Sequence, residues 1–378
     1  MTEKKINNYD QEIDKALIGN KFALIGAGRL GEMALSLWPK EIPKPLAIYD
    51  THKSGALLGY EIKKFNEVIN YFKPIYLLSA FKIKPKEAIQ IFKNVDQSLI
   101  LTIYDFFNKF NPNTFSNGWR CINPSTIKKE KIQLVENLFN DERSKQAFDA
   151  SISWRYYRKL SIDYECDHEA LKYDQRNYGV SVSNYNLVID AGSYDLQLAK
   201  TLSTTGSSVR QYLAFEPDPI NYEFSVRESK SILGIAKEKF IIEKKVLFEC
   251  SVDIKFYGNK SLSSRIINKN IKLKDVNSLK LKSISLDEYF NENSSTFIKD
   301  SCLLKLHVEG AELSVLIGAE KFIKKNTPDI FVSLSHDENS LLNIPVFLAE
   351  LGYVYQSIRD YAIFGADLTL FARHSSKM

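Results

Sequence analysis

The stretch Leu303-Leu-Lys-Leu-His-Val-Glu-Gly-Ala-Glu312 decides the fold of this chain. Its apolar residues run into a polar cluster, and a Gly-Ala pair then opens a predicted helix. This order is typical of a buried parallel strand that delivers polar side chains to its carboxyl edge, where open α/β sheets bind ligands. Two upstream segments of the same kind end at Asp190 and at Glu216. Together the three segments predict a parallel α/β sheet with a nucleotide-type cofactor site and a chemical centre beside it.

The composition is that of an ordinary globular protein, with 44% hydrophobic residues and a net charge of +5. A length of 378 residues favours two domains. The basic residues are spread along the chain, which argues against nucleic-acid binding but suits an anionic substrate such as a nucleotide sugar. The four cysteines lack metal-binding spacing, and no apolar run reaches the roughly 18 residues of a membrane span. The charged amino terminus has no apolar core, so we expect a cytoplasmic protein.

Two series of alternating predicted strands and helices divide the chain, one from Lys21 to about Phe106 and one from Leu187 to Arg373. Alternation of this kind indicates parallel sheets. Between the two series, Asn108 to Thr126 is rich in Asn, Pro, Gly and Ser, which predicts a linker. We therefore expect two Rossmann-like α/β domains, over residues 1–135 and 136–378.

The amino-terminal series carries the pattern GxGxxG between a predicted strand and a predicted helix, at Gly26, Gly28 and Gly31. Asp50 ends the next predicted strand. Such glycines let the backbone approach a pyrophosphate at the helix amino terminus, and the acid can bond a ribose. Three interpretations stay open: a platform for a nucleotide or nucleotide sugar, NAD chemistry, and a tight turn kept only for strand–helix packing.

Five segments of the second series, in order, resemble the FkbM family of S-adenosylmethionine-dependent methyltransferases. They are Val188 to Asp195, Ala214 to Pro219, Ser283 to Phe290, Leu303 to Ile323 and Pro328 to His336. The resemblance covers about residues 136–375 and implies a class I methyltransferase fold with a mostly parallel sheet. It also implies O-methylation of a sugar hydroxyl on a small-molecule acceptor. We expect a nucleotide-linked sugar used in surface polysaccharide (capsule or lipooligosaccharide) biosynthesis.

The resemblance assigns S-adenosylmethionine to the loops that follow two strands. The loop from Asp190 would hold the methionine part, and Glu216 would hold the ribose. The implied cofactor-binding residues are Asp190, Gly192, Ser193, Tyr194, Glu216, Pro217 and Asp218. Asp218 fits a helix cap equally well. The chain departs from the family pattern at His307, where an Asp is usual, and near Leu196, where a second glycine is common.

His307 and Glu309 are two residues apart on a predicted strand, so both side chains share a face. His336 ends the next apolar strand, and neighbouring strands lie about 4.8 Å apart, so the three side chains can meet. Two imidazoles and a carboxylate suit a divalent Mn, Fe or Zn ion, which would lower the pKa of a sugar hydroxyl. The alternatives are general-base catalysis by either histidine without an ion, and a purely structural role.

Four further residues have weaker assignments. Lys305 shares the strand face of these ligand candidates and either faces the substrate as a catalytic group or pairs with a carboxylate. Arg359 and Tyr361 could approach the mouth of the substrate site, although a surface salt bridge is the simpler role for Arg359. Glu312 would cap the following helix dipole or support a histidine, and we favour capping.

Three functions compete at this point. The first is an O-methyltransferase that uses S-adenosylmethionine, with or without a divalent ion. The second is an NAD-dependent oxidoreductase that uses the first glycine motif. The third is a non-catalytic binding or scaffold protein, which the departure near Leu196 would favour. The sequence leaves the oligomeric state open, although many sheet proteins of this type form homodimers.

Overall fold

The computed structural model describes residues 22–64, 75–78, 100–103, 106–107, 129–157, 161, 164–167, 169–232, 235, 239–257, 265–266, 278–293, 300–336, 338–362 and 367–378. The chain divides into two compact units. One is formed by Met1–Ile127, Asp149–His168 and Ala362–Ala366, the other by Lys128–Phe148, Glu169–Tyr361 and Asp367–Met378. The predicted linker, Asn108 to Thr126, lies outside the described residues.

The first unit holds a sheet whose described strands are mostly parallel. Its elements are β1 (Phe22–Ile25), α1 (Arg29–Ser36), β2 (Ala47–Asp50), β3 (Ala56–Leu57), β4 (Tyr60–Lys64), β5 (Ile75–Leu78) and β6 (Ile100–Thr102). The strand order is β3-β4-β2-β1-β5-β6, and only the short β3–β4 pair among these is antiparallel. Trp38 stacks on Phe106 with ring centroids 4.6 Å apart, and Phe22 of β1 meets both rings edge-on, so the three rings form one aromatic cluster beside β1.

The second unit is built from a longer alternation of strands and helices. Its helices are α2 (Lys129–Glu136), α3 (Glu142–Tyr157, which continues into the first unit), α4 (Gln197–Thr205), α5 (Pro219–Ser229), α6 (Leu286–Glu292), α7 (Glu312–Ile317), α8 (Glu320–Asn326) and α9 (Glu338–Glu350). The strands of its main sheet are β7 (Tyr185–Ala191), β8 (Val209–Phe215), β9 (Phe240–Glu243), β14 (Cys302–Leu306), β15 (Asp329–Ser333), β16 (Tyr355–Asp360) and β17 (Leu368–Arg373). A smaller sheet contains β10 (Val246–Leu247), β11 (Asp253–Tyr257), β12 (Arg265–Ile266) and β13 (Ser278–Ile284).

The main sheet has the strand order β16-β17-β15-β14-β7-β8-β9 among the described residues. Strands β15, β14, β7, β8 and β9 run parallel, whereas β17 is antiparallel to both of its neighbours. All five residues of β14 are buried, as expected for a strand covered on both faces. The predicted α/β class with mostly parallel sheets is therefore confirmed.

Strand order reverses at β7 in the main sheet. From β7 the chain steps outward through β8 to β9, and it later returns to the other side of β7 as β14. Such a reversal opens a crevice at the carboxyl ends of the two central strands, where doubly wound sheets bind ligands. The loops after β7 and β14, which the sequence singles out, therefore border one crevice.

The segment before β7 packs on the main sheet through aromatic rings. Tyr173 and Tyr178 each meet Phe331 of β15 edge-on, with ring centroids 5.4 and 5.2 Å away. Both tyrosines are buried. This packing fixes the position of the residues around Tyr173, including its neighbour Lys172.

Among the helices that the structure describes, none is long and apolar enough to cross a membrane.

An ion pair at Asp329 links three strands of the main sheet. It lies at the amino ends of the parallel strands, opposite the crevice. Asp329, at the start of β15, accepts a hydrogen bond from the Tyr185 hydroxyl at 2.8 Å and pairs with Arg373 Nη2 at 2.9 Å. Because Asp329 is 2% exposed, its loss leaves a partly buried guanidinium and a buried phenol without this partner.

We predict that Asp329→Ala lowers the free energy of unfolding by about 3 kcal/mol, since breaking one side of a buried pair strands the other charge. Urea denaturation followed by circular dichroism measures this change. The matched control is Glu320→Ala, which removes an exposed i,i+4 partner of Lys324 and should change stability by less than about 0.5 kcal/mol. Equal effects of the two substitutions would contradict the structural role of Asp329.

Candidate functional site

The loop after β7 lies directly against the end of β14. The Gly192 backbone has a φ of +75°, and a Cβ built there would lie 2.0 Å from the His307 carbonyl oxygen. His307 N also donates to Ala191 O at 3.1 Å. A side chain at position 192 would therefore force the two strand ends apart, which explains the glycine in physical terms.

Asp190 and Lys305 form a buried ion pair under this loop. Lys305 Nζ lies 2.8 Å from Asp190 Oδ1 and donates to the Gly192 carbonyl at 2.7 Å. The Tyr212 hydroxyl donates to the other Asp190 oxygen at 2.6 Å. Of the two roles considered for Lys305, the structure shows pairing with a carboxylate. Through this ion pair, Asp190 helps to hold the loop after β7 in place.

The remaining loop residues surround the carboxylate that ends β8. Glu216 accepts backbone hydrogen bonds from Tyr194 N at 3.1 Å and Asp218 N at 3.0 Å. Burial raises the pKa of Glu216 to about 7, against the lowering effect of these two amides. The Ser193 hydroxyl is buried and has no hydrogen-bond partner among the described residues. A buried hydroxyl without a partner is a free-energy cost that a bound ligand can remove.

The predicted cluster of two histidines and one carboxylate comes together at the ends of β14 and β15. Glu309 Oε1 lies 3.4 Å from both His307 Nε2 and His336 Nε2. One ligand atom from each residue lies within 4.8 Å of the other two. Glu309 has a φ of +54°, a left-handed conformation that a residue with a side chain rarely adopts. This turn directs its carboxylate back toward the two imidazoles.

Glu312, at the first position of α7, holds both the turn and one histidine. Its carboxylate accepts hydrogen bonds from Val308 N at 2.8 Å and Gly310 N at 3.0 Å. His336 Nδ1 lies 2.6 Å from Glu312 Oε1. Glu312 is also the acidic residue of the first turn of α7, so its contact with the histidine accompanies the favoured role at the helix dipole.

The charges of this cluster shift the pKa values of its members. Burial alone would raise the pKa of Glu309, but His336 and His307 hold it well below its ordinary value. Burial would lower the pKa of His336, yet Glu312 and Glu309 raise it well above its ordinary value. Burial and the Lys172 ammonium lower the pKa of His307. With Glu312 and Glu309 facing it, His336 is therefore a poor proton acceptor, which weakens general-base catalysis by that residue.

The sequence reasoning missed Lys172 and Asp367. Lys172 Nζ lies 3.4 Å from His307 Nδ1 and forms an ion pair with Asp367 Oδ1. Lys172 is 5% exposed, and its ammonium and that of Lys305 lie 5.6 and 5.7 Å from the Tyr173 ring centroid. No periodic pattern or motif marks Lys172 in the sequence, whereas Asp367 directly precedes a recognisable closing strand.

Two suggested substrate residues have other partners in the structure. Arg359 is buried, pairs with Asp141 at 3.1 Å and donates to the Asn177 carbonyl at 2.6 Å. The Tyr361 hydroxyl donates to the Lys172 carbonyl at 3.0 Å. The salt bridge of Arg359 is therefore buried and not at the surface, and the suggested substrate contacts of both residues stay predictions.

Asp218 caps α5, as one of its two predicted roles required. Its Oδ1 accepts hydrogen bonds from Ile220 N at 2.9 Å and Asn221 N at 3.2 Å. Pro219 follows at the first helical position, where its missing N–H costs nothing. Pro217 connects this cap to Glu216 in the chain, so the cap fixes the course of the loop after β8.

In the first unit, Asp50 is hydrogen-bonded to backbone amides of the glycine loop and of the turn that follows β2. Asp50 Oδ2 accepts a hydrogen bond from Ala27 N at 2.7 Å, and Oδ1 accepts from His52 N and Lys53 N, both at 2.8 Å. Burial would raise the pKa of Asp50, but these amides lower it. The carboxylate thus ties the glycine loop to the next turn, and its role as a ribose ligand stays a prediction. Gly28 opens α1 with free space around its Cα.

Comparisons with known proteins agree with the geometry of the second unit. Residues 188–355 match the family model described as the methyltransferase FkbM domain. The structure resembles methyltransferase FkbM from Methylobacillus flagellatus KT, with a TM-score of 0.58, 14% sequence identity and 98% of each chain covered. It also matches M. capricolum TrmK, solved with S-adenosyl-homocysteine, over 53% of this chain and 67% of that one, at a TM-score of 0.31 and 9% identity. No curated protein matches the sequence.

The family match runs from within β7 to the first residue of β16 and so includes the glycine loop and the ends of β14 and β15. The solved FkbM structure shows that the whole fold has a counterpart, because it covers nearly all of both chains. Residues 188–355 of the chain therefore match a methyltransferase FkbM domain.

Proposed function

We propose that this protein transfers a methyl group from S-adenosylmethionine to a sugar hydroxyl, with help from a divalent ion at His307, Glu309 and His336. The observation that carries the proposal is the placement of two sites at adjacent strand ends. One is the loop after β7 with the Glu216 carboxylate, and the other is the histidine–glutamate cluster. A methyl donor and an acceptor must meet in line, and adjacent strand ends supply that proximity.

The residues around the β7 loop fit S-adenosylmethionine in chemical terms. Glu216 is held by two backbone amides and has lone pairs left to accept hydrogen bonds from a ribose diol. The buried Ser193 hydroxyl can serve a polar group of the ligand. Leu196, where the family often has glycine, adopts a φ of +55° and is fully buried, so the turn closes without the glycine. This closure favours a working cofactor loop over a degenerate scaffold.

The residues of the cluster fit a divalent ion. Two imidazole nitrogens and a carboxylate oxygen are ligands that Mn, Fe and Zn accept. The short contact between His336 Nδ1 and Glu312 is the support that metal-bound histidines usually have. A bound ion would lower the pKa of the acceptor hydroxyl. The chain contributes the rest by holding the acceptor oxygen beside the methyl donor.

For the acceptor we propose a nucleotide-linked sugar, used in making a surface polysaccharide. The excess of basic residues and the glycine-rich loop of the first unit support an anionic, phosphate-bearing molecule. The engaged Asp50 argues against an NAD-dependent oxidoreductase, since that carboxylate already binds three backbone amides.

The first test measures conversion of S-adenosylmethionine to S-adenosylhomocysteine with a panel of nucleotide sugars, using chelator-treated protein with and without Mn²⁺ or Fe²⁺. We expect turnover that requires the ion. Equal turnover with and without the ion would contradict the proposed role of the histidine–glutamate cluster. Failure of all nucleotide sugars to bind or react would contradict the proposed acceptor class. Lack of S-adenosylhomocysteine binding at millimolar concentration in calorimetry would contradict the methyltransferase proposal itself.

Glu312→Gln tests the support of the ion site. The amide is a weaker acceptor for the His336 N–H, so we expect the affinity for Mn²⁺ to fall by about 10- to 100-fold. Titration of Mn²⁺ monitored by electron paramagnetic resonance gives this affinity. Glu320→Gln changes the acid at the same position of the next helix, α8, and should leave the affinity unchanged. If both variants bind Mn²⁺ like the unsubstituted protein, Glu312 does not support an ion ligand.

Binding of S-adenosylhomocysteine should depend on pH through Glu216. Its pKa of about 7 means that the carboxylate is largely protonated at pH 6 and ionised at pH 8. The ionised form accepts ribose hydrogen bonds better, so affinity should rise with pH, by up to about tenfold per unit below the pKa.

Calorimetry from pH 6 to pH 8 checks this dependence. Glu216→Gln should bind more weakly at pH 8 and lose the pH dependence. Glu223→Gln, an exposed acid on α5, should keep both the affinity and the slope. A slope that persists in Glu216→Gln would assign the titration to another group.

A further inference from the structure

In the proposed ion site, the Nδ1 atom of one histidine faces a hydrogen-bond acceptor, and the Nδ1 atom of the other faces a hydrogen-bond donor. His336 Nδ1 faces the Glu312 carboxylate at 2.6 Å, and a carboxylate can only accept, so this nitrogen carries the proton. His307 Nδ1 faces the Lys172 ammonium at 3.4 Å. An ammonium can only donate, so this nitrogen must offer a lone pair. The same cluster therefore has one histidine held by an acceptor and one held by a donor.

The partner of one ring nitrogen decides what the other nitrogen presents. In a neutral imidazole only one nitrogen carries a proton. With Nδ1 accepting from Lys172, the proton of His307 lies on Nε2, which points toward Glu309 Oε1 at 3.4 Å. An N–H group cannot ligate a cation. In His336, Glu312 keeps a proton on Nδ1, so Nε2 is the nitrogen at which an ion would take the place of a proton.

We propose that Lys172 is a positioning residue that controls whether His307 can ligate the ion, so that the Lys172–His307 hydrogen bond and ion binding exclude each other. The inference rests on the ion site of the proposed function. When an ion binds Nε2, the Nε2 proton must move to Nδ1, with no net change in the protonation of the ring. Lys172 must then direct its donors away from Nδ1.

Asp367 is the partner that the Lys172 ammonium keeps when its hydrogen bond to His307 is broken. It already forms an ion pair with the ammonium, and both residues belong to the second unit. The burial of Lys172 makes this pairing important, because an ammonium that is 5% exposed needs a partner after it leaves His307. The Tyr173 ring, whose centroid lies 5.6 Å from the Lys172 ammonium, adds a second favourable contact for the cation.

Lys172→Met tests this control, because methionine has a similar length and no donor. We expect its affinity for Mn²⁺ to be about tenfold tighter than that of the unsubstituted full-length protein, in the range that outer partners of metal ligands control. Equilibrium titration with Mn²⁺ alone, monitored by electron paramagnetic resonance, gives both affinities without any need for activity. Lys172→Arg keeps the charge and the donor, so its affinity should not be tighter than that of the unsubstituted protein.

A second measurement reports the tautomer directly in the ion-free protein. Long-range ¹H–¹⁵N spectra of protein labelled at its five histidines distinguish the two neutral tautomers, and His307→Asn assigns the His307 signals. We expect the Nε2–H form in the unsubstituted protein and in Lys172→Arg. The population should shift toward Nδ1–H in Lys172→Met. A loss of packing alone would not produce this selective change.

The outcomes separate this inference from the proposed function. Mn²⁺ binding that is equal or weaker in folded Lys172→Met, or an Nδ1–H tautomer in the unsubstituted protein, overturns the control by Lys172 while leaving the ion site intact. Absence of Mn²⁺ binding in both proteins at millimolar concentration overturns the ion site and the inference together. Binding that occurs only in Lys172→Met supports the inference in its strongest form.

Discussion

The buried ion pair between Lys305 and Asp190 is the interaction on which the candidate site depends. It joins the end of β14 to the end of β7, and the same ammonium binds the Gly192 carbonyl. Removing one partner of such a pair typically costs about 3–5 kcal/mol, because the other charge stays buried. The loop after β7 is thereby fastened to the strand that delivers His307 and Glu309. In the proposed reaction, this connection would set the position of the methyl donor relative to the acceptor.

The turn after β14 combines local strain with dense hydrogen bonding. Glu309 in a left-handed conformation costs of order 1–2 kcal/mol, and the Glu312 carboxylate offsets this by accepting from two amides of the turn. Strained backbone that its surroundings hold in place is frequent at functional sites. Here the strained turn places the Glu309 carboxylate beside two imidazoles and so completes the candidate ion site. The same Glu312 links that turn to His336, which makes the three ligand candidates mutually dependent.

Much of the fold could be predicted from the chain alone. Strands β7, β8, β14 and β15 each contain a short apolar run because most of their residues are buried, and polar residues at or just after their carboxyl ends mark the ligand edge. The meeting of His307 with His336 was predictable because β14 and β15 are neighbours in a parallel pair. The partner of His307 was not, since Lys172 lies in an aperiodic segment that only the stacking of Tyr173 and Tyr178 on the sheet brings near.

The sequence by itself determined the α/β class, the family resemblance and the strand ends at which polar groups gather, because these depend on short-range patterns of burial and turning. Only the tertiary structure decided what each polar group bonds. Asp50 binds its own glycine loop, Arg359 pairs with Asp141, and Lys305 holds Asp190. The reason is that a carboxylate or an ammonium looks the same in sequence whatever its partner, while a buried charge must be satisfied by the group that folding places within hydrogen-bonding distance.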